Sequence, residues 1–204
     1  MVQQITKLAG IAVRSASWSD GWIRPWLPLI LERANGEVVL ELGCGFGSDS
    51  ARLCKAGLRV VATDLSVDML KIAQQAVPEA LFLRHDIRSA LPISHCNVVI
   101  ASLSLHYFEW SQTVGIISQI GDVLRPGGVF ICRVNSVRDI FFGAGRGLRL
   151  ERNFYEVNGY QKRFFDQKDI SVLFSGWRLL SRKEMTTFRF ALPKRIWEIV
   201  LEKH

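Results

Sequence analysis

Short apolar runs alternate with amphipathic segments over the first two thirds of the chain. The runs are rich in valine, isoleucine and leucine, and glycine, proline or aspartate bounds most of them, as is typical of buried strands. We predict strands at 37–42, 58–63, 80–83, 97–101 and 129–134. Residues 125–128, Arg-Pro-Gly-Gly, are predicted as the turn before the fifth strand.

The segments between these runs predict helices. Helices are expected over 25–34, 48–56 and 66–77, the last with Ser66 as its N-terminal cap. Val114, Ile117, Ile120 and Leu124 mark one face of a fourth helix. Strands that alternate with helices in this way indicate a parallel sheet with right-handed crossovers.

The alternation stops after residue 135. Residues 136–165 are rich in glycine, arginine and aromatic side chains without a helical or strand period, and we predict a lid over the carboxyl edge of the sheet. Asp166 is predicted to cap a helix. Residues 177–184 and 187–192 are predicted as strands whose two-residue link allows only antiparallel pairing, and 194–203 as a final helix.

These elements predict an α/β fold, a doubly wound, Rossmann-like sheet. We expect seven strands, mostly parallel, with one antiparallel strand near the C-terminal edge. The expected organisation is one domain over 1–204, with an N-terminal cap segment at 1–35 and the lid at 136–165.

Charge and cysteine content narrow the class of protein. The formal net charge is +7, and residues 136–204 hold 14 of the 26 basic residues but only 8 of the 19 acidic ones. No run of 18 apolar residues and no secretory signal is present, so we expect neither a membrane span nor secretion. Four scattered cysteines indicate reduced thiols and a cytoplasmic protein.

Tryptophan recurs at every fourth position before the first strand. Trp18, Trp22 and Trp26 are interrupted by Gly21 and by proline, which argues against one continuous helix. Two interpretations stay open. The rings pack against the sheet, or they cover a ligand pocket, and Trp18 and Trp22 are then candidates for contact with a substrate.

Candidate ligand-binding residues follow the strands, where the carboxyl ends of parallel strands meet. The glycines at 43, 45 and 47 allow positive φ and close approach of a ligand. Asp64 lies 21 residues after Gly43, at the end of the neighbouring strand, where a carboxylate can accept two hydrogen bonds from ribose. Asp86 suits the amino group of an adenine, and Ser102 ends the fourth strand.

The glycine spacing disfavours a dinucleotide. That ligand's fingerprint, GxGxxG, needs a third glycine where this chain has Ser48. The predicted antiparallel hairpin also fits a dinucleotide fold poorly. A nicotinamide-dependent oxidoreductase is therefore disfavoured.

Five segments in order resemble the motifs of class I S-adenosylmethionine-dependent methyltransferases. They are Glu41-Leu42-Gly43-Cys44-Gly45-Phe46-Gly47, Asp64-Leu65-Ser66, His85-Asp86-Ile87, the segment from Asn97 to Tyr107, and Leu124-Arg125-Pro126-Gly127-Gly128-Val129. The resemblance covers about residues 36–135. It implies that the protein binds S-adenosyl-L-methionine, releases S-adenosyl-L-homocysteine and requires no metal.

The resemblance also implies residue roles. The implied cofactor-binding residues are Glu41, Gly43, Cys44, Gly45, Gly47, Asp64, Leu65, Asp86, Ile87 and Ser102. Among these, residues 43–47 would lie against the methionine part and Asp64 would bind the ribose hydroxyls. Leu65 would pack on the adenine, Asp86 and Ile87 would contact its amine and ring, and Ser102 would help to hold the amino-acid end.

Methyl transfer from a sulfonium donor requires few catalytic side chains. Holding donor and acceptor in line can lower the activation free energy by about 7–11 kcal/mol. A general base is needed only where the acceptor must lose a proton early. His106 and Tyr107 are the candidates for that base, with packing of the loop as the alternative. The four histidines have no metal-ligand spacing.

The acceptor is predicted to be a small molecule. Residues 102–105, Ser-Leu-Ser-Leu, replace the Asn/Asp-Pro-Pro-Tyr motif of enzymes that methylate exocyclic nitrogens of bases or glutamine, and no Pro-Cys motif is present. Arg152, Tyr155 and Tyr160 join the tryptophans as candidate acceptor contacts. Arg152, together with Arg146 and Arg149 of the lid, could attract an anionic acceptor. Two alternatives stay open: an RNA methyltransferase, since the C-terminal third is basic, and a non-catalytic protein that binds the cofactor. The oligomeric state is left open.

Overall fold

A central sheet of seven strands organises the computed structural model, which describes residues 21–204. The strands are β1 (Val39–Leu42), β2 (Val60–Asp64), β3 (Leu81–Arg84), β4 (Cys96–Ser102), β5 (Leu124–Asn135), β9 (Trp177–Thr187) and β10 (Lys194–Lys203). Their order in the sheet is β3-β2-β1-β4-β5-β10-β9. Strands β6 (Leu148–Glu151), β7 (Phe154–Val157) and β8 (Tyr160–Arg163) form a second, antiparallel sheet.

Strands β1 to β5 pair in parallel, and β10 is antiparallel to both β5 and β9. The predicted fold is therefore confirmed: a mostly parallel, Rossmann-like sheet with one antiparallel strand near the C-terminal edge. The carboxyl ends of the first five strands share one edge with the amino end of β10.

Five α-helices connect and cover the strands in the described residues. They are α1 (Leu27–Ala34), α2 (Ser48–Lys55), α3 (Val67–Ala76), α4 (Trp110–Val123) and α5 (Gln167–Leu173). Ser66 caps α3 by accepting from the Met69 N–H, and Asp166 forms a capping box with Asp169 in α5. Buried apolar residues form two clusters, one centred on Leu40 and Phe130 and the other on Val39 and Ile100. Because successive strand residues point to opposite faces, these clusters lie on the two faces of the sheet.

The C-terminal prediction was wrong in its elements. Residues 194–203, predicted as a helix, form β10, and β9 runs through the link predicted at 185–186. Pairing with β5 on one side and β9 on the other satisfies the backbone of β10 and buries Ile199 and Val200. This tertiary environment outweighs the helical pattern of the isolated segment.

Three further predictions differ from the structure. Residues 148–163 are not aperiodic, because they form the three strands of the second sheet. In α4, Val114 is exposed, whereas Thr113 and Ile116 are buried. Leu124 lies beyond this helix and is the first residue of β5. Residues 125–128 also lie within β5, at an irregularity in its pairing with β4.

The predicted N-terminal cap segment is only partly described. Trp18 and the rest of residues 1–20 lie outside the described residues. A 3-10 helix (Arg24–Trp26) leads into α1, which ends at Asn35 in the left-handed region. Among residues 21–204, no helix is long and apolar enough to span a membrane.

Candidate active site

Three glycines after β1 form the turn at the centre of the site. Gly43, Gly45 and Gly47 have φ of 74°, 57° and 80°, in the left-handed region that favours glycine. A Cβ on Gly43 would lie 2.4 Å from the Cβ of Ser104, and one on Gly47 would lie 3.1 Å from the Cβ of Ala73. A Cβ on Gly45 would meet nothing within 4 Å. Gly43 and Gly47 therefore keep the turn packed, while Gly45 keeps its open side clear.

A cavity of about 950 Å³ opens beside this turn, along the carboxyl edge of the sheet. Four neighbouring strands, or the loops directly after them, each contribute one polar side chain to its wall. Asp86 follows β3, Asp64 ends β2, Glu41 lies in β1 and Ser102 ends β4. The sequence predicted this convergence from the strand order.

Most predicted site residues line the cavity. They are Glu41, Gly43, Cys44, Gly45, Asp64, Leu65, Asp86, Ile87, Ser102, His106 and Tyr107. Gly47 lies outside the lining, at the start of α2. Leu65 is 56% exposed and can cover a flat ring, whereas Ile87 is buried at the base of the cavity.

Asp64 ties the glycine turn to the next strand. Its Oδ2 accepts from the Gly45 N–H at 2.8 Å, and its Oδ1 accepts from the Ser66 N–H at 2.9 Å. Each carboxylate oxygen keeps a second lone pair. Asp64 can therefore hold the turn in place and still accept two hydroxyl hydrogen bonds.

Asp86 already has a strong partner. The Arg88 guanidinium donates to both carboxylate oxygens, and its Nη2 lies 2.6 Å from Oδ2. This hydrogen bonding lowers the pKa of Asp86 to about 2. The carboxylate is thus ionised, and an amine in the cavity would share it with Arg88.

Two buried carboxyl groups lie beneath the glycine turn. Ser50 donates to Glu41 at 2.5 Å, and Trp22 Nε1 donates to Asp49 Oδ2 at 2.7 Å. Burial, together with the charge of Asp49, raises the pKa of Glu41 to about 8. The other Asp49 oxygen, Oδ1, is buried without a hydrogen-bond partner among residues 21–204. A ligand cation beside these groups would be favoured electrostatically.

Cys44 and Ser102 have limited reactivity. Burial and the nearby charges of Glu41 and Asp64 raise the pKa of the Cys44 thiol well above its ordinary value, so the thiol stays protonated. The Ser102 hydroxyl accepts from Nε and Nη2 of Arg133, at 3.0 and 2.8 Å. Its own proton remains available to a ligand.

His106 and Tyr107 lie in a 3-10 helix (Leu105–Tyr107) after β4. Their ring centroids are 4.2 Å apart. Burial, reinforced by the charges of Lys194 and Lys162, lowers the pKa of His106 well below its ordinary value, so the imidazole is neutral. His106 Nδ1 has no hydrogen-bond partner among the described residues. A neutral imidazole in the cavity wall can accept a proton or a hydrogen bond.

The far end of the cavity is built by residues that sequence reasoning missed. They are Asn135, Phe142, Lys162, Arg189, Phe190 and Lys194. Asn135 ends β5 and Lys194 begins β10, so the antiparallel course of β10 brings Lys194 to the carboxyl edge. A correct prediction of β10 as a strand antiparallel to β5 would have placed Lys194 at this edge. Phe142 and Lys162 come from the segment predicted as a lid.

The predicted acceptor contacts lie elsewhere. Trp22 is buried beneath the turn against Asp49, and Arg152 pairs with Asp166 and Asp169 at the start of α5. Tyr155 packs against Phe164 on the second sheet, and Tyr160 belongs to the same sheet. The cavity lining contains none of the described candidates Trp22, Arg152, Tyr155 and Tyr160. Their positions correct that part of the sequence prediction.

The β1–β4 side of the cavity fits an adenosyl cofactor with a positive centre. Gly45 leaves its open side free for a ligand, Asp64 presents two acceptor oxygens, and Leu65 offers an apolar surface. Glu41 and Asp49 supply carboxyl groups next to the glycine turn. Among residues 21–204, no group of three or more histidine, cysteine, aspartate or glutamate side chains is arranged to hold a metal ion.

This chain is similar to known methyltransferases. Residues 39–128 match a family model described as a methyltransferase domain. Methyltransferase ausD of Aspergillus calidoustus is 31% identical over 133 residues, 56% of this chain and 48% of that protein. Putative methyltransferase YqeM of Bacillus subtilis is 34% identical over 57% of this chain and 49% of its own length. The chain thus spans about half the length of these relatives.

A solved structure shares the fold. A SAM-dependent methyltransferase from Methanosarcina mazei superposes with a TM-score of 0.74, covering 86% of this chain and 97% of that one. Its sequence identity is 16%, so this likeness concerns the fold alone.

Proposed function

We propose that this chain, which belongs to the class I S-adenosylmethionine-dependent methyltransferase family, transfers a methyl group to a small-molecule acceptor. The observation that carries the proposal is the single cavity wall running from the Asp64 side to the Lys194 side. Ligand pockets typically measure ~300–1,000 Å³. A volume of about 950 Å³ leaves room for a cofactor and a second small molecule in contact.

Each cofactor role follows from a position in that wall. Asp64 would accept from the two ribose hydroxyls while keeping its bond to the Gly45 N–H. Leu65 and Ile87 would cover the adenine, and Asp86 would accept from its amine. Cys44, Gly43 and Ser102 line the wall where the amino-acid end would lie.

S-adenosyl-L-methionine supplies a methyl group already activated by a positive sulfur. The remaining task of the protein is to align the acceptor and exclude water. Alignment of this kind can lower the activation free energy by about 7–11 kcal/mol. Tyr107, Phe142 and Phe190 provide the apolar surface for this purpose at the acceptor end.

His106 is the group that would take the proton from a protic acceptor. Its imidazole is neutral, it is buried in the cavity wall, and its Nδ1 lacks a partner within the described chain. Tyr107 is 40% exposed, but desolvation within the cavity wall and the charge of Asp64 raise its pKa, so its phenol keeps its proton at neutral pH. We therefore favour His106 over Tyr107 as general base.

The basic C-terminal third does not favour RNA as the acceptor. Several of its arginines are neutralised locally, since Arg138 pairs with Glu184, Arg163 with Glu151 and Arg178 with Glu202.

We also propose a cytoplasmic location, because all four cysteines are free thiols.

Transfer of a labelled methyl group tests the proposal. The protein is incubated with S-adenosyl-L-methionine labelled on its methyl carbon, separately with a small-metabolite extract and with total RNA. We expect label in the small-molecule fraction, and loss of that label with His106→Ala if the acceptor is protic. Label confined to RNA, or no transfer to any fraction by a protein that binds the cofactor, would contradict the proposal.

A further inference from the structure

The charges that line the cavity are separated along its length. Its acidic side chains all belong to β1, β2, β3 or to the helix or loop that follows each strand. They are Glu41, Asp49, Asp64, Asp68 and Asp86. Two cations, Arg84 and Arg88, line the same end as these acidic residues, where Arg88 pairs with Asp86. The end next to β5 and β10 is lined by three cations, Lys162, Arg189 and Lys194, and by no acidic side chain among residues 21–204. The two ends therefore attract ligand groups of opposite sign.

Among residues 21–204, Lys194 is the one of these three cations that lies within ion-pair distance of a carboxylate. Lys194 Nζ lies 2.7 Å from Asp139 Oδ2, and both side chains are buried. Lys162 and Arg189 have no ion-pair partner among residues 21–204. Burial lowers the pKa of Lys162, and the charge of Asp139 offsets this effect only in part.

Aromatic rings hold the second unpaired cation at the edge of the cavity. The Arg189 guanidinium lies 5.7 Å from the ring of Phe46 and 5.8 Å from that of Phe190. Phe46 belongs to the glycine turn, so Arg189 stands between the cofactor side and the acceptor side. A guanidinium held against ring faces can still direct its N–H groups at a ligand.

Two buried polar atoms in the same region also lack hydrogen-bond partners in the described part of the chain. They are Nδ1 of His106 and Oδ1 of Asn135, in side chains that are 5% and 1% exposed. Both residues line the cavity. Buried polar atoms are almost always hydrogen-bonded in native proteins, so a ligand that reaches them would be stabilised. Asn135 Oδ1 accepts only, and it therefore selects a ligand with a donor.

We propose that the methyl acceptor carries an anionic group, a carboxylate or a phosphate, which pairs with Lys162 and Arg189, and a hydroxyl or N–H donor that reaches Asn135. This inference rests on the proposed function, since it assigns the acceptor end of the same cavity. Lys194 contributes less, because Asp139 already balances its charge. Phe142 and Phe190 contact the apolar body that carries these groups.

Binding of matched probes tests the inference. The intact protein, saturated with S-adenosyl-L-homocysteine, is titrated calorimetrically with phenylacetate, phenyl phosphate and the neutral phenylacetamide at millimolar concentration. We expect at least one anion to bind about tenfold or more tightly than the amide, as a charge-assisted hydrogen bond requires. The tighter anion identifies the group. Equal affinity for the amide, or no binding of either anion, would overturn the inference.

Variants locate the binding site. Lys162→Gln and Arg189→Gln should each weaken the bound anion about tenfold or more and leave the amide unchanged, while Lys162→Arg should restore part of the affinity. Arg149→Gln is the matched control, because Arg149 is an exposed cation outside the lining. Anion binding that survives both substitutions would overturn the inference.

The two proposals fail differently. Absence of binding by S-adenosyl-L-homocysteine in the first titration would contradict the proposed function. Binding of that compound, together with no preference for the anions, would overturn only the assignment of Lys162 and Arg189.

Discussion

The hydroxyl group of Ser50 donates a 2.5 Å hydrogen bond to the buried carboxyl group of Glu41. Glu41 is 3% exposed and lies directly before the glycine turn. Burial raises its pKa from an ordinary 4.5 to about 8, so the folded protein holds this proton at neutral pH. The unfolded chain releases it near pH 4.5.

Glu41 therefore makes stability fall as pH rises from about 4.5 towards 8. One retained proton corresponds to a slope of about 1.4 kcal/mol per pH unit in the free energy of unfolding. Glu41→Gln removes that titration while keeping an oxygen for Ser50. We expect the variant to lose less stability than the wild type between pH 5 and pH 8, as measured by urea unfolding. The exposed Glu156→Gln serves as the control, and parallel curves for Glu41→Gln and wild type would show the account to be wrong.

Gly43 and Gly45 should respond differently to the same substitution. Gly43→Ala places a Cβ 2.4 Å from Ser104 Cβ, whereas Gly45→Ala meets nothing within 4 Å. Both carry the strain of positive φ, about 1 kcal/mol. We expect Gly43→Ala to lower the melting temperature clearly more, and Gly45→Ala to lose cofactor affinity with little further loss of stability. Gly159→Ala, also at positive φ in open space, controls for backbone strain alone.

The opposite ranking would count against the packing assigned to the turn. Equal cofactor affinity of Gly45→Ala and Gly159→Ala would show that no ligand approaches Gly45.

The buried pair of Asp139 and Lys194 is expected to matter for folding. Asp139 is fully buried and also accepts from the Arg195 N–H at 3.1 Å. Asp139→Asn leaves the Lys194 ammonium buried without an anion, which should cost about 3–5 kcal/mol in the free energy of unfolding. Arg138→Gln, which breaks an exposed pair with Glu184, should cost less than about 1 kcal/mol.

Chemical denaturation of the two variants measures this difference. Adding Lys194→Met to Asp139→Asn should recover part of the stability, because it removes the unpaired charge. A double variant no more stable than Asp139→Asn would contradict the electrostatic explanation.

Local signals in the sequence predicted which residues line the β1–β4 side of the cavity. The glycine turn, Asp64 and Asp86 each follow an apolar run directly, and parallel strands bring their carboxyl ends to one edge whatever covers the sheet. The capping of α5 by Asp166 was likewise predictable from a short segment, because Asp169 completes the capping box three residues later.

The acceptor side depends on contacts between distant segments. Lys162 and Lys194 share one wall only because β8 lies over the cavity and β10 runs antiparallel to β5. Residues 194–203 contain apolar positions compatible with a helix, and only pairing with β5 and β9 decides for a strand. The arginines favoured by the sequence, Arg149 and Arg152, interact within their own segment or with α5 instead.

Calorimetric titration with S-adenosyl-L-methionine and S-adenosyl-L-homocysteine shows whether Asp64 binds the cofactor, when wild type is compared with Asp64→Ala and Asp64→Asn. Loss of two hydroxyl hydrogen bonds to a carboxylate, each about 1.5–3 kcal/mol, should weaken binding by about 10² or more. The exposed Asp122→Ala should bind like wild type, and thermal melts without ligand show whether each variant is folded. We expect saturable one-to-one binding that the Asp64 substitutions weaken. No binding by the wild type, or equal affinity in folded Asp64 variants, would refute the role of this cavity as the cofactor site.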